Sequence, residues 1–446
     1  MLAAAAAALL LQLAAAAPCA GPFSALDFGA RGDGVHLDTP AIEAAIAAAA
    51  ACGGGVVTLP LAPPASTYLS GPVFLASNTV FSIAPGATLL ASTNLSIWAQ
   101  SINKPSGLGV GPPGLVNAGR CAERPPANCS SWATLRNVTI TGGGAIDGNG
   151  PSFWGDSSWW PAPPALPRPF LLELSYVDGL TVSHVSLLRS AHWTIVPSMS
   201  SNILLEHLFL EAGVQRDSMP YNGYNIDGLD SNNVQNMTLR HSYFRAGDDC
   251  VAINSRNQNE GFETRNVTIG PNVTCITPIS IGSGTGNGVF DVVIRDSVVD
   301  ARWGVPNADW QPKWAHTALR FKTARNRGSA GVSNVHVHNV TGLGVDLMVD
   351  IQPYYSCQNS SGTANYLFCR ETVWPSEVPD APSYRNMVFD GLHGDAWRAA
   401  WLTCLPEAPC RNVTFTNVNV AVVQPAWVCE NVFGSAAGVQ GCFEGA

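Results

Sequence analysis

Charged residues are scarce in this sequence. Asp, Glu, Lys and Arg make up 12% of its 446 residues, against roughly 25% in an average globular domain, and the formal net charge is −9. Nucleic acid and anionic membrane surfaces repel a chain with this charge, so we expect neither as a partner. An acidic ligand would need a local patch of positive charge. The hydrophobic fraction of 46% predicts instead a large buried core.

Long apolar segments are also rare. An Ala/Leu-rich run occupies residues 1–20, and no later segment reads as a transmembrane helix. The run is short for a membrane span of roughly 20 apolar residues, and its Ala15-Ala16-Ala17 fits the small-residue cleavage pattern of a secretory signal. We therefore expect a signal peptide at 1–20 and one secreted, monomeric domain at 21–446.

The twelve cysteines lack the CxxC spacing of zinc sites. In an exported protein they predict disulfides, and we expect the following pairs: Cys19/Cys52, Cys121/Cys129, Cys250/Cys275, Cys357/Cys369, Cys404/Cys410 and Cys429/Cys442. The first pair requires that Cys19 survive processing. Nine Asn-x-Ser/Thr sequons also fit a secreted glycoprotein, although the recurrent Asn-Val-Thr equally suits a turn that leads into a strand.

A short helix is predicted near the amino terminus, with Thr39 as its N-cap, Pro40 at its first position and an apolar run over 41–51. Such a helix could cover the open end of a sheet or solenoid. From about residue 135 the chain repeats a polar turn containing Asn, followed by a strand that alternates apolar and polar residues. The repeated segments begin at 136, 179, 201, 235, 265, 333 and 411.

Many of these segments begin roughly 20 to 35 residues apart, and repeats of that length are typical of a solenoid. Strands this short bury their apolar side by stacking as coils around one shared core, which gives a parallel β-helix. A β-sandwich or propeller is the alternative, but neither explains why Asn precedes the strand, where left-handed backbone or an amide ladder between coils is useful. Two Trp-rich insertions, at 151–168 and 301–318, interrupt the coils and are expected on the binding face.

The densest polar signal is Asn225-Ile226-Asp227-Gly228 followed by Gly247-Asp248-Asp249-Cys250. Asp227 and Asp248 are 21 residues apart, about one coil, so the three aspartates are expected to share one surface. Hydrolysis of a glycosidic bond needs one carboxylic acid and one carboxylate, and clustering can keep one aspartate protonated. A calcium site or a structural turn would also use clustered aspartates.

A second signal is Arg320-Phe321-Lys322. In a strand, residues two apart face the same way, so both cations are expected on one surface, where they could bind a carboxylate-bearing substrate. An ordinary salt-bridge pair is the alternative interpretation. The histidines at 192, 207, 241, 336 and 338 show no metal-site spacing, and we expect no metal and no cofactor.

The ordered motifs containing Asp227, Asp248-Asp249, Ser280-Ile281-Gly282-Ser283 and Arg320-Phe321-Lys322 resemble those of polygalacturonases and their relatives, glycoside hydrolase family 28. The resemblance extends from Asp27-Phe28-Gly29 to the carboxy-terminal cysteines. It implies an all-β fold, a single-stranded right-handed parallel β-helix of the pectin lyase-like kind, here with a short amino-terminal capping helix. It also implies metal-independent, inverting hydrolysis of a pectic polysaccharide in the extracellular cell wall.

By the same resemblance, Asp248 is the general acid, and Asp227 and Asp249 position and deprotonate the water. Further residues are expected to contact the substrate: Asn225, His316, Arg320, Lys322 and Tyr355.

One position departs from the family pattern. Where typical members have Gly-His-Gly, this chain has Ile276-Thr277-Pro278, and it therefore lacks the histidine that supports the protonation state of the acid. The identity of the substrate is consequently open between galacturonan, rhamnogalacturonan and xylogalacturonan. A calcium-dependent polysaccharide lyase and a non-catalytic pectin-binding protein are the competing function classes.

Overall fold

A computed structural model describes most of the chain. The described residues are 19, 21–99, 101–104, 108–119, 134–154, 168–212, 225–256, 262–303, 317–325, 330–355, 381–424, 427–437, 439 and 442–443. His316, four of the twelve cysteines and most of both predicted insertions lie outside these ranges.

The described residues form thirty strands, with the following bounds: β1 (Phe23–Ser24), β2 (Asp33–Leu37), β3 (Gly55–Leu59), β4 (Thr67–Ser70), β5 (Val73–Phe74), β6 (Thr79–Ile83), β7 (Thr88–Ala91), β8 (Ile102–Asn103), β9 (Val110–Gly111), β10 (Val116–Ala118), β11 (Leu135–Thr141), β12 (Ala145–Asp147), β13 (Leu172–Ser175), β14 (Val177–Ser183), β15 (Ser186–Leu188), β16 (Ile195–Glu206), β17 (Phe209–Glu211), β18 (Leu229–Arg240), β19 (Ser242–Arg245), β20 (Val251–Ser255), β21 (Thr264–Ile269), β22 (Val273–Cys275), β23 (Ile279–Thr285), β24 (Val289–Asp300), β25 (Thr317–Lys322), β26 (Val332–Gln352), β27 (Tyr384–Thr403), β28 (Cys410–Val422), β29 (Trp427–Glu430) and β30 (Val432–Ala436).

Apart from the antiparallel β8–β9 pair, these strands pair in parallel from one coil to the next. They line three faces of a right-handed parallel β-helix, as predicted. One face follows the order β6, β11, β14, β16, β18, β21 and β24, and the next follows β7, β12, β15, β17, β19 and β22. The third face contains β10, β13, the start of β16 and of β18, then β20, β23, β25 and the ends of β26 and β27.

The core is built from residues that stack in register. On the third face one inward column has a member on each successive coil, and every member is buried: Ile195, Leu229, Val251, Ile279, Leu319, Val349 and Ala400. Alternation then turns the neighbouring residue of each strand outward. The column beside it therefore presents one outward side chain per coil, and its members include Asp230, Ser280, Arg320 and Asp350.

Helix α1 (Thr39–Ala51) closes the amino-terminal end of the coils, as the sequence predicted, and buries Ile42 and Ile46. The predicted cap residue was wrong: Asp38 is the N-cap and Thr39 is already helical. The side chain of Asp38 accepts hydrogen bonds from the backbone of Arg31 and Gly32, and Thr39 Oγ1 accepts one from Gly71 N. These contacts fix the entry to the helix in place of a side-chain cap.

The remaining helices are short. They are α2 (Pro151–Trp154) and the 3-10 turns Ala25–Phe28, Leu95–Trp98 and Ala301–Trp303. No helix among the described residues has the length and apolar character that crossing a membrane requires.

The asparagines that precede the strands form a ladder between coils. Asn236 Nδ2 donates to Asn202 Oδ1 (3.1 Å), and Asn266 Nδ2 donates to Asn236 Oδ1 (2.9 Å). All three have a positive φ of 56–57°, so both predicted uses of Asn occur at the same residues. The start of the repeats at residue 135 was placed too late, because β3 and β6 already pair in the same way and continue into β11.

Four of the six predicted disulfides lie within the described residues, and all four are present: Cys19–Cys52, Cys250–Cys275, Cys404–Cys410 and Cys429–Cys442. Cys250–Cys275 joins the residue after Asp249 to the end of β22. It thereby anchors the turn that carries Asp248 and Asp249.

Replacing Asn236 tests the ladder. Asn236→Ala removes one donor and one acceptor and replaces an Asn, which tolerates left-handed backbone, by an Ala, which tolerates it less well, so the unfolding free energy should fall by about 1–3 kcal/mol. Asn236→Gly removes the same hydrogen bonds but tolerates the backbone, and it should cost less. Thermal unfolding of both variants checks this, and equal midpoints for wild type and Asn236→Ala would contradict it.

Candidate active site

The three predicted aspartates come together at the entry to the third face. Leu229 pairs with Val251, an offset of 22 residues, and the pairing continues backward through the hydrogen bond from Gly228 N to Asp249 O (2.9 Å). Asp227 is therefore in register with Asp249, one coil apart. One carboxylate oxygen from each of Asp227, Asp248 and Asp249 lies within 4.8 Å of the others.

Gly228 is required at the turn after Asp227. A β-carbon at this position would press against the backbone oxygen of Cys250 and the ring of Phe244. The two coils approach so closely here because Leu229 N donates to Cys250 O (3.0 Å). The same register places Thr277 on the coil after Asp249, since Val251 pairs with Ile279.

Asp249 has a hydrogen-bond partner at each carboxyl oxygen. Ser280 Oγ donates to its Oδ1 (2.8 Å), and Lys322 Nζ donates to its Oδ2 (2.5 Å). Burial lowers the pKa of Lys322, but the charges of Asp249, Tyr355 and Asp248 together outweigh it and raise this pKa above its ordinary value. Both oxygens of Asp249 are thus engaged, and a buried positive charge stands beside them.

Asp227 lies among other carboxyl groups, whereas Asp249 lies beside a cation. It is buried, and burial followed by the charges of Asp230, Asp248 and Asp249 raises its pKa well above the ordinary value. The neighbouring side chain of Asp230 thus contributes to the raised pKa of Asp227. Burial also raises the pKa of Asp230 to about 6, even though the charge of Arg256 opposes the shift. The Asp227–Asp230 pair therefore retains a proton under mildly acidic conditions.

Asp248 is half-buried, the most exposed of the three. Burial and then the charge of Asp249 raise its pKa, while Lys322 and Arg320 oppose the shift. Its Oδ1 accepts a hydrogen bond from Asp249 N (2.9 Å). The cluster consequently combines one fixed carboxylate with carboxyl groups that hold protons more readily than usual.

Arg320 and Lys322 share one surface, as predicted. The guanidinium of Arg320 lies 5.0 Å from the ring centre of Tyr355, and the ammonium of Lys322 lies 4.9 Å from the same ring. Tyr355 is 37% exposed and covers both cations, so all three predicted residues are neighbours. On the next coil Asp350 Oδ2 lies 3.8 Å from Arg320 Nε, and burial raises the pKa of Asp350 to about 6.

Asn225 lies two residues before Asp227, half-buried, with a positive φ of 53°. His316 is outside the described residues, so its predicted contact stays a prediction. The sequence interpretation assigned no role to Asp230, Ser280, Asp350 or Arg256, although all four border the cluster. Asp230 and Ser280 lie within or next to the recognised motifs and could have been found by placing them on the strands; Arg256 belongs to no motif.

The model of glycosyl hydrolases family 28 matches residues 85–439. A probable polygalacturonase of Vitis vinifera is 28% identical to this chain, over 93% of this chain and 78% of its own length. An exopolygalacturonase of Zea mays is 25% identical, over 94% and 89%. The chain thus belongs to glycosyl hydrolase family 28 and is a glycosidase, which confirms the resemblance.

Solved structures share the fold. The exopolygalacturonase of Thermotoga maritima superposes with a TM-score of 0.71 at 20% identity, covering 94% of this chain and 91% of that one. The endo-xylogalacturonan hydrolase of Aspergillus tubingensis gives 0.63 at 19% identity, covering 94% and 100%.

The buried Lys322–Asp249 pair should be strongly coupled. Lys322→Met leaves a buried carboxylate without its cation and should lower the unfolding free energy by about 3–5 kcal/mol. Adding Asp249→Asn in the same chain removes that charge and should restore part of the loss. A double-mutant cycle measured by urea unfolding checks the coupling, and additive losses would contradict it.

Proposed function

We propose that this glycosidase hydrolyses galacturonic-acid-containing pectic polysaccharide outside the cell, without a metal ion and with inversion of the anomeric centre. The observation that carries the proposal is the cluster of Asp227, Asp248 and Asp249 beside the cations Arg320 and Lys322. Carboxylic acids serve glycoside hydrolysis, and the cations suit an acidic sugar. The polygalacturonases among its relatives support the same substrate class.

Asp248 is the proposed general acid. Its partial exposure lets a glycosidic oxygen reach it, and its raised pKa favours the protonated form that must donate. As the leaving group departs, its oxygen takes the proton of Asp248, which becomes a carboxylate. Lys322 and Arg320 stabilise the charge that develops there.

Asp249 and Asp227 are proposed to hold and deprotonate the water. They are register neighbours on adjacent coils, so a water between them can contact both. Asp249 is the proposed base because Lys322 and Ser280 hold both of its oxygens in place and a positive charge stands beside it, and Asp227 orients the water through its hydrogen bonds. Proton transfer to Asp249 accompanies attack of the water oxygen on the anomeric carbon.

The spacing of the cluster bears on stereochemistry. Its closest oxygens lie within 4.8 Å, near the roughly 5 Å typical of retaining enzymes and below the roughly 6.5–9.5 Å typical of inverting ones. Retention needs a carboxylate free to attack carbon. Both oxygens of Asp249 are engaged and the pKa of Asp227 is raised, which favours water as the nucleophile and therefore inversion.

The same contacts support the proposed metal independence. A divalent cation at this cluster would bind ionised oxygens, but Lys322 Nζ already lies 2.5 Å from Asp249 Oδ2 and supplies the positive charge there. The raised pKa of Asp227 opposes a second ionised ligand. Arg320, Lys322 and Tyr355 are proposed to contact a uronate next to the scissile bond, together with Asn225 and His316.

Removing the proton of residue 248 tests the mechanism. Asp248→Asn should lower kcat by at least 10²- to 10⁴-fold with little change in stability, because the amide keeps the shape and cannot donate a catalytic proton. Wild-type activity should fall as the pH rises through the raised pKa of Asp248. Reducing-end release from homogalacturonan checks both. Asp390→Asn, a carboxylate on another face held by Thr416 and Asn417, is the matched control.

The same assay distinguishes the alternatives. Activity should persist in a chelator, and proton NMR of the first-formed product should show the inverted anomer. Retention would refute the water mechanism, loss in the chelator would refute metal independence, and near-normal activity of Asp248→Asn would remove Asp248 from catalysis.

Secretion is proposed with a cleavage site before Cys19. The Cys19–Cys52 disulfide ties this residue to the C-cap of α1, so cleavage after Ala17, at the small-residue pattern, preserves a bond that cleavage after residue 20 would remove. Amino-terminal sequencing of protein secreted from a eukaryotic host should begin upstream of Cys19. A mature chain that lacks Cys19 would exclude this processing.

A further inference from the structure

Arg256 lies on the opposite side of the aspartate cluster from Arg320 and Lys322. It follows β20, and its side chain reaches back toward the amino-terminal coils, where its guanidinium lies 4.8 Å from the ring centre of Trp193. Trp193 precedes Asp227 by one coil, because Ile195 pairs with Leu229. The guanidinium therefore lies beyond Asp227, while Arg320 lies beyond Asp249.

The position of Arg256 is fixed from several directions. Its backbone N donates to Asn232 Oδ1 (3.0 Å) and Asn233 Oδ1 (3.1 Å). Its stem packs over Gly284, where a β-carbon would collide with Cγ of Arg256. The other face of the Trp193 ring is stacked on Phe170, with 5.1 Å between ring centres, so the surface under the guanidinium is rigid.

The guanidinium keeps donors for a ligand. Within the described part of the chain, its hydrogen bond is a single long one, from an NH2 to Asp230 Oδ1 at 3.4 Å, whereas a guanidinium has five N–H donors. The side chain is 25% exposed. Asp230 also accepts a hydrogen bond from Asn254 Nδ2 (3.1 Å), so Arg256 is not its sole hydrogen-bond donor.

Several cations lie near His192 on this side of the cluster. His192, next to Trp193, has a pKa held well below its ordinary value by burial and then by the charges of Arg168, Lys104 and Arg256. Trp193 N donates to His192 Nδ1 (2.8 Å), which leaves the imidazole proton on Nε2. Of these cations, Lys104 is already paired with Glu173 (2.7 Å), so Arg256 is the one that a carboxylate entering here would meet.

We propose that Arg256 binds the carboxylate of one of the two sugars joined by the scissile bond, namely the sugar that lies toward the amino-terminal coils of the protein. The other sugar, toward the carboxy-terminal coils, is the one held by Arg320 and Lys322. This inference rests on the proposed function and narrows its substrate. Both sugars that flank the cleaved bond must then be acidic. Homogalacturonan stretches, plain or xylose-substituted, meet this requirement, whereas a backbone that alternates uronate with a neutral sugar does not.

Kinetics of Arg256→Met on oligogalacturonates tests the inference. Methionine keeps an apolar stem over Gly284 and Trp193 but removes the charge. KM should rise about 10- to 100-fold with kcat nearly unchanged, and the preference for the free acid over its methyl ester should fall by a similar factor. Rhamnogalacturonan should be a poor substrate for the wild type. Arg265→Met is the matched control, since Arg265 also lies over an aromatic ring, Phe290 at 5.0 Å, on another face.

Two further variants keep the test decisive. Gly284→Ala should displace Arg256 without changing its chemistry and should raise KM in the same direction. Calorimetric titration of trigalacturonate into Asp248→Asn, with and without Arg256→Met, measures binding independently of turnover, and the second substitution should weaken binding about 10-fold or more.

Three outcomes would overturn the inference. The first is an unchanged KM and an unchanged acid-to-ester preference in Arg256→Met. The second is a loss of kcat alone with a shifted pH profile, which would make Arg256 a positioning residue for Asp230. The third is efficient cleavage of rhamnogalacturonan. If the wild type cleaves no uronate polymer while trigalacturonate binding still depends on Arg256, the proposed function fails and the binding role stands.

Discussion

In-register hydrogen bonding between parallel coils determines where every functional side chain lies. A strand of the third face contributes one residue to each column, and neighbouring strands lie about 4.8 Å apart. One column at the entry to this face contains Phe170, Trp193, Asp227, Asp249 and Thr277 in successive coils. A shift of one residue in any coil would turn its side chains to the opposite face. The packing of apolar residues in the core therefore fixes the register, and the register fixes the positions of the polar site residues.

Close stacking of like charges is costly, and the protein resolves the cost by giving each carboxyl group a different environment. Lys322 and Ser280 engage Asp249, Asp227 is buried beside Asp230, and Asp248 is the most exposed. Groups of the same type thus acquire different proton affinities within a few ångströms. The acid and base roles proposed above depend on this difference, and both originate in the surrounding buried residues.

The sequence predicted the β-helix, the capping helix, the four described disulfides and the meeting of the three aspartates, because each leaves a local signal: a repeat, an apolar run, cysteine spacing or a motif. It predicted the shared surface of Arg320 and Lys322 from strand alternation. It did not predict the register of 22 residues between Asp227 and Asp249, since loop length between strands varies from coil to coil. It also missed Arg256, whose position depends on Gly284, Asn232 and Trp193 from three different coils.

Thr277 is the position at which this chain departs from the family pattern, and other side chains of the site titrate in its place. It occupies the position where typical family members have a histidine, one coil after Asp249, and its buried Oγ1 has no hydrogen-bond partner among the described residues. A threonine hydroxyl at this position does not change its protonation state near neutral pH, so it cannot serve as a titrating group. Titrating groups lie instead on both sides of Asp249, because the pKa of Asp230, beside Asp227, and that of Asp350, beside Arg320, are each raised to about 6. Arg256 forms an ion pair with Asp230 (3.4 Å), and its charge opposes the raised pKa of that carboxyl group, so the proposed sugar-binding residue also borders the titrating side chain next to Asp227.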